Sequence, residues 1–139
     1  MTRKEQREAA YALLFEREFK TDETAEEIFA VSAENRDIDA VGEKYIKDVF
    51  FGVVENEEKI DELIAGASNG WKVSRLSKAT RAVLRLCTYE MLYCKDIPYT
   101  VSINEALEIT KKFDEPKARA FVNGVLNSIK NKLEEKNEQ

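Results

Sequence analysis

The chain reads as an all-α protein. Apolar residues recur at helical spacing along nearly its whole length, and only five glycines and two prolines punctuate 139 residues. No stretch shows the strict apolar–polar alternation of a half-buried strand. A hydrophobic content of 43% supports one sizeable core and a charged content of 35% suits a soluble surface, so residues 1–139 are expected to form a single domain.

A first helix is predicted from about Thr2 to Phe19, with Ala10, Tyr11, Leu13, Leu14 and Phe15 on its apolar face. Asp22 or Thr24 can cap a short second helix through Ile28 and Phe29. A long third helix is predicted from near Asp39, carrying Ile46, Val49, Phe50, Val53, Ile60, Leu63 and Ile64, with Gly66 and Gly70 marking its end. The stretch Leu76 to Cys94 leaves almost no polar face, the mark of a helix buried on most sides. Asp96-Ile97-Pro98 breaks it, because proline disfavours helix in the residue before it. The next helix turns Ile103, Ala106, Leu107, Thr110 and Phe113 inward. Pro116 is expected in the first turn of the last helix, which buries Val122, Val125, Leu126 and Ile129, with a frayed tail over 136–139.

Several functions are disfavoured by what is missing. The chain has no His, the commonest general base and metal ligand at neutral pH. It carries no Walker loop, no G-x-G-x-x-G and no G-x-S-x-G, so an enzyme is not expected, nor a metal or other cofactor. Cys87 and Cys94 lie seven residues apart in a predicted helix. At about 10.5 Å along the axis they are too far apart to bridge, and they read as reduced core cysteines. There is no apolar run long enough to cross a bilayer and no apolar leader at the N-terminus, so a cytoplasmic protein with no membrane partner is expected.

Charge is unevenly spread. Residues 21–70 carry fourteen Asp/Glu against four Lys/Arg, whereas residues 71–95 carry six Lys/Arg against one Glu. Lys72, Arg75, Lys78 and Arg81 either solvate one side of a buried helix or meet an anionic partner. The first helix carries a second cation set. Arg3 and Arg7 share a face, with Lys4 beside them and Tyr11 one turn on. Cations in a first turn oppose the helix dipole, so they point to an external anion, with Tyr11 or Phe15 placed to stack a base.

These residues carry a resemblance. Arg3-Lys4-x-x-Arg7-Glu8-x-Ala10 with Leu13-Leu14-Phe15 is similar to the arginine-rich first helix of the NusB family of bacterial transcription antitermination factors. Ala82-Val83-Leu84-Arg85-Leu86, Tyr89-Glu90, Asp96-Ile97-Pro98, Ile103-Asn104-Glu105-Ala106 and Phe121-Val122-Asn123-Gly124-Val125-Leu126 follow in that family's order and spacing. The resemblance implies about seven helices in two packed bundles. It also implies binding of boxA RNA in ribosomal RNA leader transcripts together with the ribosomal protein NusE, within an RNA polymerase antitermination complex that reads through terminators. Some members self-associate as homodimers, masking the RNA surface. The RNA-binding candidates are Arg3, Lys4, Arg7, Tyr11, Phe15, Lys117, Arg119 and Phe121, and the partner-docking candidates are Trp71, Arg75, Lys78 and Arg81.

Other motif residues have a structural reading beside that one. Arg85 and Glu90, in the most buried helix, are expected to bond internally, since an unpaired buried charge is costly. Asn104 and Glu105, after Ser102, look like helix-start residues. Gly124 inside a helix costs about 1 kcal/mol relative to alanine, which points to close approach by a neighbouring helix or by RNA. Two alternatives stay open. One is a protein–protein adaptor without RNA contact, and the other is a stand-alone relative of the helical module that precedes RNA cytosine methyltransferases. Far-UV circular dichroism checks the fold class: a helix-dominated spectrum unchanged by chelator is expected, and substantial sheet signal would overturn it.

Overall fold

A computed structural model describes residues 1–36 and 38–138, and among them there are seven α-helices, one 3₁₀ turn and no strand. Capping sets most of the boundaries. Thr2 and Glu5 form a reciprocal capping box at the start of α1 (Arg3–Arg17), and Thr24 and Glu27 repeat it for α2 (Ala25–Asn35). The Asp39 carboxylate accepts from the Gly42 N–H at 2.7 Å to open α3 (Ala40–Glu55). After α4 (Glu57–Ala67), Asn69 and Gly70 take left-handed backbone and turn the chain into a 3₁₀ turn over Val73–Arg75. Ser77 caps α5 (Lys78–Tyr93), Pro98 precedes α6 (Tyr99–Phe113), and α7 spans Ala118–Glu138.

The central helix is α5, packed against α1, α3, α4, α6 and α7. That placement explains why its sequence has so little polar face: Ala82 through Thr88 are all buried. On one flank α1 packs on α2 and α3, and on the other α7 packs on α4 and α6, so two bundles share α5. Phe50, Leu13, Ile46, Ile64, Leu84 and Leu126 are among the side chains removed completely from water. No described helix is long and apolar enough to cross a membrane.

Several boundaries differ from the sequence reading. The long third helix is two helices, divided at Asn56, whose backbone leaves helical geometry and whose Nδ2 donates to the Gly52 carbonyl at 2.7 Å. Asparagine competes for backbone acceptors in this way, which hydrophobic spacing does not reveal. Gly66 lies inside α4, and Gly70 alone of the two marks the turn. The first helix stops at Arg17 and the second continues to Asn35. Pro116 lies in the turn before α7. Lys136 to Glu138 continue α7, and residue 139 lies outside the described residues. Phe113, expected inside, is 46% exposed.

Two charge networks run through the core. Glu90, only 1% exposed, accepts from Arg7 Nε at 2.8 Å, from Ser102 Oγ at 2.8 Å and from the Tyr45 hydroxyl. One carboxylate thereby joins α1, α3, α5 and α6. Ser102 is engaged in this way, and Asn104 and Glu105, read as helix-start residues, lie in the second turn of α6, which begins at Tyr99 because Pro98 sets its start. In the second network Arg85 makes two 2.9 Å bonds to Asp61 and one to Glu18, while Arg81 holds Glu18 by two bonds at 2.9 and 2.8 Å. Arg85 and Glu90 both bond internally, as their buried setting required.

Removing one partner of such a pair leaves a buried charge alone. Glu90→Ala should therefore destabilise the protein by about 3–5 kcal/mol, and Arg7→Ala by a comparable amount. Urea denaturation followed by circular dichroism measures both; a loss below about 1 kcal/mol for either would show that the network does not hold α1 in place.

Candidate nucleic-acid interface

The exposed end of α1 builds one wall of the site. Tyr11 stacks on Phe113 of α6 with ring centroids 5.3 Å apart, Phe15 follows Tyr11 at 6.1 Å, and Phe19 meets Phe15 edge-on at 5.1 Å. The spacing of four residues places Tyr11 and Phe15 above one another on one face of α1, and Phe19, in the turn just past its end, continues the row. Within the ladder Tyr11 is buried and Phe15 half-buried, and both ends are open, where Phe19 is 61% exposed and Phe113 46%. A lysine lies over each open ring: Lys78 Nζ is 5.0 Å from the Phe19 centroid and Lys112 Nζ 5.2 Å from that of Phe113. Lys112 also pairs with Glu8 at 3.1 Å.

Beyond Phe15 and Phe19 the surface falls into a groove of about 800 Å³. Its opposite side is formed by Trp71, the start of α5 and the start of α7, where Phe121 lies partly buried. Arg75, Lys78 and Lys117 stand on the rim, with Asp114 and Glu115 as the acids present. Asp114 is already engaged, accepting from the Thr80 hydroxyl at 2.6 Å. Trp71 is 56% exposed. Flat apolar rings open to solvent beside cations that, among the described residues, hold no carboxylate are what a nucleobase and its phosphate require.

The candidates from sequence divide on this geometry. Phe15, Lys117 and Phe121 from the RNA set and Trp71, Arg75 and Lys78 from the docking set line the same groove, so the two predicted surfaces meet in one. Arg119 is exposed at the start of α7. Arg3 and Lys4 are exposed at the other end of α1, about 18 Å from Phe15 at 1.5 Å per residue, and the Arg3 guanidinium rests over the Tyr45 ring at 4.3 Å.

Three residues are corrected. Arg7 is buried on Glu90 and is not a surface cation. Tyr11 is buried as the middle of the ladder, with no open face for a base. Arg81 is held by Glu18 and by the Val73 and Ser74 carbonyls at 3.3 Å. Arg7 lies three, four and seven residues before Ala10, Tyr11 and Leu14, so the apolar stripe itself marked Arg7 and Tyr11 as inward-facing. Phe19 and Phe113 were missed as interface residues, although the aromatic repeat at 11, 15 and 19 was the available signal.

Cys87 and Cys94 are both free; burial pushes the Cys87 thiol well up, and burial with the nearby Glu90 and Asp96 carboxylates raises Cys94 to about 11. Such thiols are inert at neutral pH. Among the described residues no group of three or more potential ligands could hold a metal.

The chain is thus an all-helical protein that carries an aromatic, cation-rimmed groove. The family model described as NusB family matches residues 4–131. The transcription antitermination protein NusB of Clostridium perfringens (strain 13 / Type A) is 43% identical over 131 residues, covering 93% of this chain and 96% of that protein. Its counterpart in Acetivibrio thermocellus is 41% identical over 129 residues, covering 93% and 88%. Among solved structures, T. maritima NusB is similar with a TM-score of 0.86 at 38% identity, over 93% of this chain and 90% of that one. A chain in the crystal structure of antitermination factors NusB and NusE in complex with dsRNA is similar with a TM-score of 0.82 at 27% identity, over 93% and 97%. The chain belongs to the NusB family of transcription antitermination proteins, which are not enzymes.

Burial, with the Asp114 charge as a smaller contribution, raises the Tyr11 hydroxyl to about 12, against about 10 for a tyrosine in the unfolded chain. The folded state thus keeps a proton that the unfolded state releases, and stability present below pH 10 is lost as pH rises towards 12. Thermal melts across that range should show a steeper alkaline decline for the native chain than for Tyr11→Phe, and coincident profiles would refute this role for Tyr11.

Proposed function

We propose that this protein binds single-stranded boxA RNA of ribosomal RNA leader transcripts jointly with NusE, and in that complex helps RNA polymerase read through terminators. The observation that carries the reading is the groove that joins Phe15, Phe19, Trp71 and Phe121 to Arg75, Lys78 and Lys117. Bases stack on the open rings, and the cations meet phosphates. Arg3, Lys4 and Arg119 extend the positive surface away from the groove. The structural relative solved with NusE and dsRNA supports both partners.

The charge balance favours a shared site. The chain carries a net charge of −5, and Arg7, Arg81 and Arg85 are engaged internally. At the groove itself only Arg75, Lys78 and Lys117 stand ready for phosphate contacts, so affinity alone is modest and a basic ribosomal partner beside the groove completes the surface. Linkage then requires the RNA to tighten the protein pair by the factor by which the partner tightens RNA. A second copy seated on the groove would compete with RNA, which is how self-association would regulate it.

Anisotropy titrations of labelled boxA and scrambled RNA, with and without saturating NusE, test the reading. Phe121→Ala should weaken boxA binding by about 5- to 150-fold, the range for one lost stacked base. Lys78→Ala and Lys117→Ala should each lower the log–log salt slope by about 0.7. Equal affinities with and without NusE would reject the shared site. Absence of any salt-dependent RNA binding would leave a protein–protein adaptor, and the exposed Trp71 would then be its anchor.

A further inference from the structure

Gly124 stands where the fold does not need a glycine. It lies within α7, a helix of 21 residues, and a glycine there is less favourable than alanine because it loses more backbone freedom on folding. Left-handed backbone would justify it, as would a neighbour too close for a Cβ. Among the described residues left-handed backbone is confined to Asn69 and Gly70. A Cβ on Gly124 meets no atom within 4 Å, whereas one on Gly52 would overlap the Tyr89 ring. The expected close approach of a neighbouring helix is therefore overturned, and of the two readings the sequence offered, approach by RNA is the one left.

The surroundings indicate what that is. Gly124 follows Phe121 by three residues on one helix face, and both border a hollow of about 340 Å³ together with Asn69 and Trp71. Phe121 and Trp71 also line the groove, so the hollow continues it across α7. Lys72 and Arg75 line a further recess that also borders Trp71 and Asn69. Neither the hollow nor the recess has an acidic lining residue, in contrast to the groove with Asp114 and Glu115. A polyanion leaving the groove in this direction moves into a more favourable field. Beside Gly124, the Asn123 carbonyl and Oδ1 both accept from Asn127 Nδ2 at 2.9 Å. The Asn123 amide nitrogen has no partner among the described residues and is left to donate outward.

We infer that an RNA strand held in the groove leaves it across α7 at Gly124, with a ribose–phosphate unit seated directly on helix backbone. The inference rests on the RNA reading of the groove. A helical side chain covers the turn N-terminal to its own Cα, so the missing one uncovers the backbone of Ala120 and Phe121 next to the Phe121 ring. A base on that ring and a sugar on that backbone are neighbouring parts of one strand, and even a methyl group would lift the sugar away.

Gly124→Ala separates this role from every structural one, because stability and binding should move in opposite directions. Its melting temperature should rise by a few degrees, while its affinity for labelled single-stranded boxA RNA falls at least tenfold. The salt slope should be unchanged, since no cation is removed. Phe121→Ala is titrated in parallel. If Phe121→Ala weakens binding and Gly124→Ala does not, the inference fails and the groove remains an RNA site. If neither weakens it, the RNA reading of the groove fails and this inference with it. A lower melting temperature for Gly124→Ala would show that the fold needs the glycine, and loss of NusE binding with RNA affinity intact would assign the position to a protein; each outcome overturns the proposal.

Discussion

A carboxylate taken out of water must be given compensating donors, and Glu90 obtains three from three other helices. That requirement fixes more than local geometry. Arg7 can reach Glu90 only if α1 lies against α5 in one rotation and one register, and Tyr11, one turn further along, is then laid on Phe113 of α6. The same rotation carries Phe15 and Phe19 to the mouth of the groove. A single apolar contact between α1 and α5 would tolerate sliding, because hydrophobic attraction has no direction. A charge-assisted hydrogen bond of 2.8 Å does not. The buried pair thus acts as a registration device for a surface that lies two to three helical turns away.

The second network does the same for the cations. Six Lys/Arg in residues 71–95 suggest a strongly basic segment, yet Arg81 and Arg85 are neutralised by Glu18 and Asp61. Those acids come from the end of α1 and from α4, so the pairs tie three helices together where α5 begins its burial. Arg81, in the first turn of α5, opposes the helix dipole, and Glu18 offsets that cost directly. Of the four cations left, Lys72, Arg75 and Lys78 cluster on the groove side, while Lys95 is exposed past the end of α5. Surface charge is therefore more local than sequence charge.

Much of this was legible in the sequence, and what was not has identifiable causes. Helix type followed from the apolar repeat, which gave six helices where the described residues form seven, and of the two caps offered for the second helix, Asp22 and Thr24, the structure uses Thr24. The break at Asn56 was hidden because the apolar spacing continues through it while a side-chain amide competes for the Gly52 carbonyl. Arg3 and Arg7 look alike as i and i+4 cations, but one sits on the solvent face over Tyr45 and the other on the apolar stripe. The partner that makes an inward arginine tolerable lies 83 residues away, and no local pattern announces it. Trp71, Arg75 and Lys78 were read as a surface distinct from Phe15, Lys117 and Phe121 because they belong to different segments. Only the packing of α1, α5 and α7 brings them into one groove.

That convergence constrains how the site can work. Three cations and two acids on one rim, one of the acids already engaged by Thr80, leave little net field, so electrostatics cannot hold a long strand there. Stacking is less sensitive to salt and is available on several exposed rings, so on the proposed reading the aromatic side chains would supply grip and the cations orientation. Stacking alone is tolerant of sequence, because every base has a π-face. Discrimination has to come from somewhere that feels shape. On that reading, Tyr11 is closed to a base, the half-buried Phe15 and the exposed Phe19, Trp71 and Phe113 bound where bases can stack, and the bare backbone at Gly124 would set the strand's path. A surface poor in charge but strict in shape is suited to a second protein that contributes charge, since each partner then supplies what the other lacks.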